Sequence, residues 1–196
     1  MVGRPRTFDT DDVLDRAMAL FWRKGYAGTG ISDLEEATGL GRQSLYGAFG
    51  DKRQLFEQVV ERYAATVLRP YLRDVLEAPG SPRANLERLF EHWQEAVASP
   101  NFNGCLVGNC VAEMSARDPE IADILGPQLE QMELWLFQAI ARARAAGEVS
   151  AALDPKAVAR AILALSQGVS VVGRVHRDRS FVRAVVQNAA RLLDAP

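Results

Sequence analysis

Between Ile31 and Phe56 the chain reads ISDLEEATGLGRQSLYGAFGDKRQLF, a stretch that leaves little choice of fold. Ser32 and Glu35 stand in a capping-box relation, which predicts a helix start. Leu34 and Ala37 then supply an apolar face. Gly39 and Gly41 flank Leu40, giving a positive φ at a helix end and room for a sharp turn. A second short helix follows, with Leu45 and Phe49 facing inward and polar side chains outside. Asp51-Lys52-Arg53 opens a third. Two short helices around a tight turn, with a new helix immediately after, spell a helix-turn-helix, and this makes DNA the first candidate partner.

Around this segment nearly every stretch has helical periodicity, and none has the two-residue alternation of a strand. Asp9 is placed to cap a helix running to Lys24, with Val13, Leu14, Ala17, Leu20 and Phe21 as its inner stripe and Gly25 as its stop. From Asp51 a longer helix carries Leu55, Phe56, Val59, Val60 and Tyr63 until Pro70 bends or ends it. Ser81-Pro82 opens a helix to about Ala98. A loop from Ser99 to Gly104 leads into a helix expected to hold both cysteines. A further helix from Pro119 reaches about Ala146, with a kink expected at Gly126-Pro127. The last two run from Asp154-Pro155 to about Arg174 and from Ser180 to about Leu193. The expected fold is all-α with about nine helices. Residues 1–50 form an N-terminal arm and three-helix helix-turn-helix DNA-binding domain, and 51–196 a helical effector-binding and dimerisation domain.

Composition narrows the function classes. The chain has 196 residues and a net charge of −2, so no global basic field advertises nucleic acid. Residues 1–62 hold nine Arg or Lys against ten Asp or Glu; affinity for DNA must come from local placement. Neither a signal peptide nor a membrane-spanning segment is expected from this sequence. Two cysteines make a disulfide scaffold a poor reading, and a cytoplasmic location is expected. His92 and His176 are isolated, so neither a metal site nor a cofactor is expected.

The block from Gly3 to about Tyr63 resembles the DNA-binding domain of the TetR family of bacterial transcriptional regulators. The resemblance is carried by Phe21-Trp22-Arg23-Lys24-Gly25-Tyr26, by Thr29 and Ile31 at the second helix, by Ser44-Leu45-Tyr46, and by Phe49 before Lys52. Gly30 departs from it, standing where Ser or Thr is usual. The family implies a homodimer, a variable helical ligand-binding domain and repression relieved by an effector. The segment Gly104-Cys105-Leu106-Val107-Gly108-Asn109, with Glu113, is similar to a subgroup in which some members respond to electrophiles or oxidants through a cysteine.

Two recognition helices on a two-fold dimer would enter successive major grooves about 34–36 Å apart, so the operator should be near-palindromic. Gln43 is the leading base reader, because a carboxamide pairs bidentately with adenine. Ser44 is a more permissive reader, and Arg42 meets phosphate or guanine. Tyr46, through the family, would bond phosphate; the alternative is a packed aromatic. Lys52 at its helix start and Thr29 would add phosphate contacts. Arg4 and Arg6 could lie in a minor groove.

For the remaining chain the sensor candidates are Cys105, Cys110, Trp93, Phe102, Met114, Met132, Trp135 and Arg174. On one helix the two cysteines would sit about 140° apart around the axis and about 7.5 Å along it, beyond easy disulfide reach. They read as buried small hydrophobes or as a redox sensor at Cys105. The aromatic and Met positions read as core or as the wall of an apolar cavity. On the last two helices Val158, Ala161, Leu165, Gly168, Val172, Val182, Val186, Ala189 and Leu193 are candidates for a four-helix dimer seam, with a larger monomeric core as the alternative. The expected function is a dimeric regulator, repression being the family default, released from its operator by an apolar ligand or a thiol-reactive compound. The other readings are a small thiol enzyme and an effector-independent DNA-associated dimer.

Overall fold

The computed structural model describes residues 8–114 and 118–194. Among these all regular secondary structure is helical: α1 (Thr10–Lys24), α2 (Ile31–Thr38), α3 (Arg42–Phe49), α4 (Lys52–Tyr63), a π turn (Ala64–Leu68), α5 (Arg69–Leu76), α6 (Pro82–Ala98), α7 (Leu106–Met114), α8 (Pro119–Ala145), α9 (Pro155–Val172) and α10 (Arg179–Asp194). Because α4, the π turn and α5 are continuous, they form one rod, and the described residues contain nine rods in all.

The starts of these helices follow their capping residues. Asp9, Asp51, Ser81, Asp118 and Asp154 each accept a backbone N–H of the first turn, and Pro82, Pro119 and Pro155 follow where a missing donor is harmless. At α4 the capping is reciprocal: Asp51 accepts from the Gln54 amide, and the Gln54 side chain accepts from the Asp51 amide.

The start of α2 corrects the sequence reading. Its cap is Gly30, and the residue reaching back is Asp33, whose carboxylate accepts from the Gly30 amide at 2.9 Å and holds Lys24 at 2.7 Å. Ser32 is therefore inside the helix. Glu35 instead accepts from the Arg42 amide at 2.6 Å, tying the start of α3 to α2 across the turn. Gly39 ends α2 in the left-handed region at φ 72°, which an L side chain would strain.

Two prolines also differ from expectation. Pro70 neither ends nor divides its rod, because the π turn precedes it, with Arg69 donating back to Ala64. A wider turn changes which carbonyl would face the proline ring and needs no bond from the nitrogen that lacks a proton. Likewise α8 runs unbroken through Gly126 and Pro127.

In the N-terminal half α1 packs on α4, with α2 on α1 and α3 between α2 and α4. Phe56 is 0% exposed and touches Phe21 edge-on at 5.2 Å and Tyr26 at 4.9 Å between ring centres. Arg62 of α4 fastens the outer side of this unit to α1 through Asp15 at 2.6 Å and Asp11 at 3.1 Å. In the C-terminal half α8 lies on α9 and α6, and α10 lies on α6. The same apolar core continues from one half into the other.

Phe56→Ala should lower stability by about 3–5 kcal/mol, the usual loss for a large aromatic removed from a closed core. Urea unfolding followed by circular dichroism measures this; a loss below about 1 kcal/mol would mean that the ring cluster does not hold α1 to α4.

Candidate nucleic-acid interface and effector cavity

Helix α3 divides cleanly between inside and outside. Leu45 and Phe49 are buried, whereas Arg42, Gln43, Ser44, Tyr46 and Gly47 are exposed. The helix is anchored at both ends: Glu35 holds the Arg42 amide, and the Gln58 carboxamide of α4 donates to the Phe49 carbonyl at 3.0 Å. The Arg42 guanidinium lies 5.3 Å from the centre of the Tyr46 ring, which leaves a cation and a phenol side by side on the solvent face. Such a surface offers a carboxamide and a hydroxyl for base edges, flanked by groups that suit phosphate.

The other sequence candidates are placed differently. Thr29 is corrected: it is 0% exposed, and its hydroxyl donates to the Gly25 carbonyl at 2.6 Å. It closes the turn after α1 and has no access to a phosphate. Lys52 is half-buried, with its ammonium 4.3 Å from the Tyr26 ring centre. Burial pulls its pKa down, opposed by the carboxylates of Glu113 and Asp33. Arg4 and Arg6 lie outside the described residues.

Within the C-terminal half a cavity of about 190 Å³ opens between α4–α5, α6, α8 and α9. An apolar cavity of about 150 Å³ suffices for a benzene-sized guest. Of the sensor candidates, Trp93, Phe102, Cys105 and Met132 line it. Sequence reasoning missed Tyr63, Tyr71, Ser166 and Gln167, which join them. Tyr63 read as core, and nothing local in Gln167 says that its face of α9 meets a cavity. Trp135 packs into the core outside this wall, and Cys110 is buried away from it. Arg174 is exposed and also lies off the wall. The side chain of Met114 falls outside the described set.

The wall carries no Asp, Glu, Lys, Arg or His. Its titratable groups are held neutral. Burial raises the Tyr63 phenol well above its usual range, with the Cys105 thiol adding to the effect. Burial pushes Tyr71 up to about 12, with Glu95 contributing, and burial also raises the Cys105 thiol. The Tyr63 hydroxyl donates to the Cys105 sulfur at 3.7 Å. Contrary to expectation, the two cysteines do not share a helix: Cys105 precedes α7, and its carbonyl accepts from Asn109, while Cys110 is inside α7. Both are free, and burial, with the Glu113 carboxylate, pushes Cys110 up to about 12.

The proposed seam residues also separate. Val182, Ala189 and Leu193, expected at the seam, are instead buried within the subunit, where α10 packs on α6 and α9. Gly168 and Val172 are exposed, with Val158, Ala161, Leu165 and Val186 half-buried. Next to them Ala164 and Val171 are exposed too, and Val175 is 91% exposed. Among the described residues no group of three or more His, Cys, Asp or Glu is placed to hold a metal, and no helix is long and apolar enough to cross a membrane.

Residues 13–59 match the family described as bacterial regulatory proteins, tetR family, and residues 82–189 match the tetracyclin repressor-like C-terminal domain. The chain is 32% identical over 200 residues to the HTH-type transcriptional regulator YezE of Bacillus subtilis (strain 168), covering 98% of this chain and 100% of that one. It is 31% identical over 173 residues to the HTH-type transcriptional repressor ComR of Escherichia coli (strain K12), covering 88% and 82%. Among solved structures it is similar to a cysteine mutant of the TetR family transcriptional regulator CifR complexed with 26 bp double-strand operator DNA. That similarity has a TM-score of 0.85 and 32% identity, over 96% of this chain and 98% of that one.

The raised thiols predict slow alkylation. Below its raised pKa a thiol holds less thiolate than a free cysteine at the same pH, so Cys105 should react with N-ethylmaleimide more slowly in the folded chain than in urea, with the rate climbing as pH rises. Cys110 should react only on unfolding. Peptide mass spectrometry measures both; fast labelling of native Cys105 at neutral pH would contradict the electrostatics of the wall.

Proposed function

The chain belongs to the TetR family of bacterial transcriptional regulators, and on that footing we propose that it is a dimeric repressor released from a near-palindromic operator by a small molecule. It is a regulator and not an enzyme, as its relatives are. The observation that carries the DNA-binding reading is α3, whose apolar side is buried while Arg42, Gln43, Ser44 and Tyr46 face outward together. The DNA-bound state of the similar regulator CifR supports it.

In this reading residues 1–50 form the DNA-reading unit and 51–196 the effector and dimer unit, with α4 as the strut they share. Gln43 and Ser44 read bases. Arg42, Tyr46 and Lys52 take phosphates, Lys52 by swinging off the Tyr26 ring. The exposed face of α9 around Gly168 and Val172, with the outward side of α10 near Val186, meets its two-fold mate. Helices apolar on a side that their own subunit leaves open need a partner there.

The effector enters the cavity. Its uncharged, mainly apolar wall favours a neutral apolar or aromatic molecule. A thiol-reactive electrophile or oxidant at Cys105 is the second route, and the raised thiol makes it the slower one.

The test is a gel-shift titration on the DNA upstream of the gene. Binding should weaken steeply with salt, as phosphate contacts require. Gln43→Ala should flatten discrimination at one operator position, a loss of about 1–3 kcal/mol for a bidentate base contact. Cys105→Ser should leave binding intact. If Gln43→Ala leaves the ranking of operator variants unchanged, α3 is not read in this register.

A further inference from the structure

Glu113, near the end of α7, reaches out of the effector unit and grips the reading unit. Its two carboxylate oxygens accept from the Tyr26 amide at 3.0 Å and the Ala27 amide at 2.9 Å, both in the turn between α1 and α2. Gly25 makes room for this. It sits at φ 77°, and a Cβ there would lie 2.3 Å from a Glu113 oxygen. A second tie runs in parallel: the Trp22 indole of α1 donates to the Gly104 carbonyl at 3.0 Å.

The other end of the same segment is cavity wall. Gly104 and Cys105 line the cavity, and Gly104 is wedged against α9, where an added Cβ would come 2.5 Å from the Ser170 carbonyl. The loop is fastened to α7 by Asn109, whose side chain donates to the Asn103 carbonyl at 2.7 Å and whose amide donates to the Cys105 carbonyl at 2.9 Å. These bonds join the loop and the nine-residue α7 into one hydrogen-bonded unit, with Gly104 at one end and Glu113 at the other. A guest that shifts Gly104 must therefore shift Glu113, and with it the turn that carries α2 and α3.

We infer that Glu113 is the positioning residue through which the state of the cavity reaches the DNA-reading helix. This rests on the proposed function, in which the cavity takes the effector and α3 reads DNA. Coupling between two sites is reciprocal in binding free energy. DNA bound at α3 must then alter the wall at Gly104 and Cys105, and that change can be read without knowing the effector.

The experiment follows N-ethylmaleimide labelling of Cys105 by peptide mass spectrometry, with and without a saturating amount of the upstream DNA. Wild type should change its labelling rate by about fivefold or more when DNA binds, because the shielded thiol reacts from the conformers that expose it and DNA shifts their population by the coupling factor. Glu113→Leu should bind the DNA, yet label at one rate in both conditions. Glu113→Gln, which keeps one acceptor oxygen, should fall between. The inference is overturned if wild type labels at the same rate with and without DNA, or if Glu113→Leu keeps the full DNA-dependent change.

A DNA-free arm covers the case in which the upstream DNA fails to bind, an outcome that would count against the DNA-binding reading alone. Hydrogen exchange at the Tyr26 and Ala27 amides should accelerate about tenfold or more in Glu113→Leu while α8 exchange holds. Unchanged exchange at both amides would overturn the clamp itself. If Glu113→Leu does not fold, Glu113→Gln and Gly25→Ala, which displaces the carboxylate, carry both arms.

Discussion

An eight-residue helix has no stability of its own in water, since nucleation consumes most of what so few hydrogen bonds return. The reading helix α3 is that short, so its existence depends on burying Leu45 and Phe49 against the α1–α4 core. Each such side chain contributes about 1.5–3 kcal/mol on burial. The outward residues are thereby held in register chiefly by what is packed beneath them. The two anchors at its ends, from Glu35 and Gln58, then fix its position along its axis. Everything that α3 can do on its surface is inherited from packing beneath it.

The same dependence links the two halves of the molecule. Aromatic rings from α1 and α4 form the floor of the reading unit, and Tyr63, one residue before the π turn, belongs both to that core and to the cavity wall. Trp22 meets Tyr63 edge-on at 5.1 Å. A cavity placed against such shared residues cannot change shape without the neighbouring core registering it, because packed interiors transmit displacement and do not absorb it. The neutrality of the wall belongs to the same physics. With no charged side chain present, each phenol and thiol is kept protonated by burial.

Much of this was legible from local chemistry. Caps at Asp9, Asp51, Ser81 and Asp154, prolines at first helical positions and apolar periodicity placed nearly every helix, since each of these signals acts within one or two turns. The exceptions differ in kind. At α2 the helix starts at Ile31, earlier than a Ser32 cap would place it, so Asp33 at the third helical position is the reciprocal partner of Gly30, and it also holds Lys24. Pro70 was absorbed by a π turn that no residue in the window announces. Thr29 reads as a surface hydroxyl until the chain folds the Gly25 carbonyl onto it.

The candidate site divides along the same line. The outward set on α3 follows from helical spacing alone, because Leu45 and Phe49 determine which side faces in. The burial of Val182, Ala189 and Leu193 does not, because α9 and α10 are apolar on more than one side and only the position of α6 decides which side is spent within the subunit. Nor could the sequence place Glu113 against amides 87 and 86 residues away. Short-range hydrogen bonding and side-chain periodicity are written in the order of the residues, and they determined an all-helical chain with a helix-turn-helix. Which faces meet, where a void is left between them, and which carboxylate reaches across are set by long-range packing, and only the tertiary structure decided those.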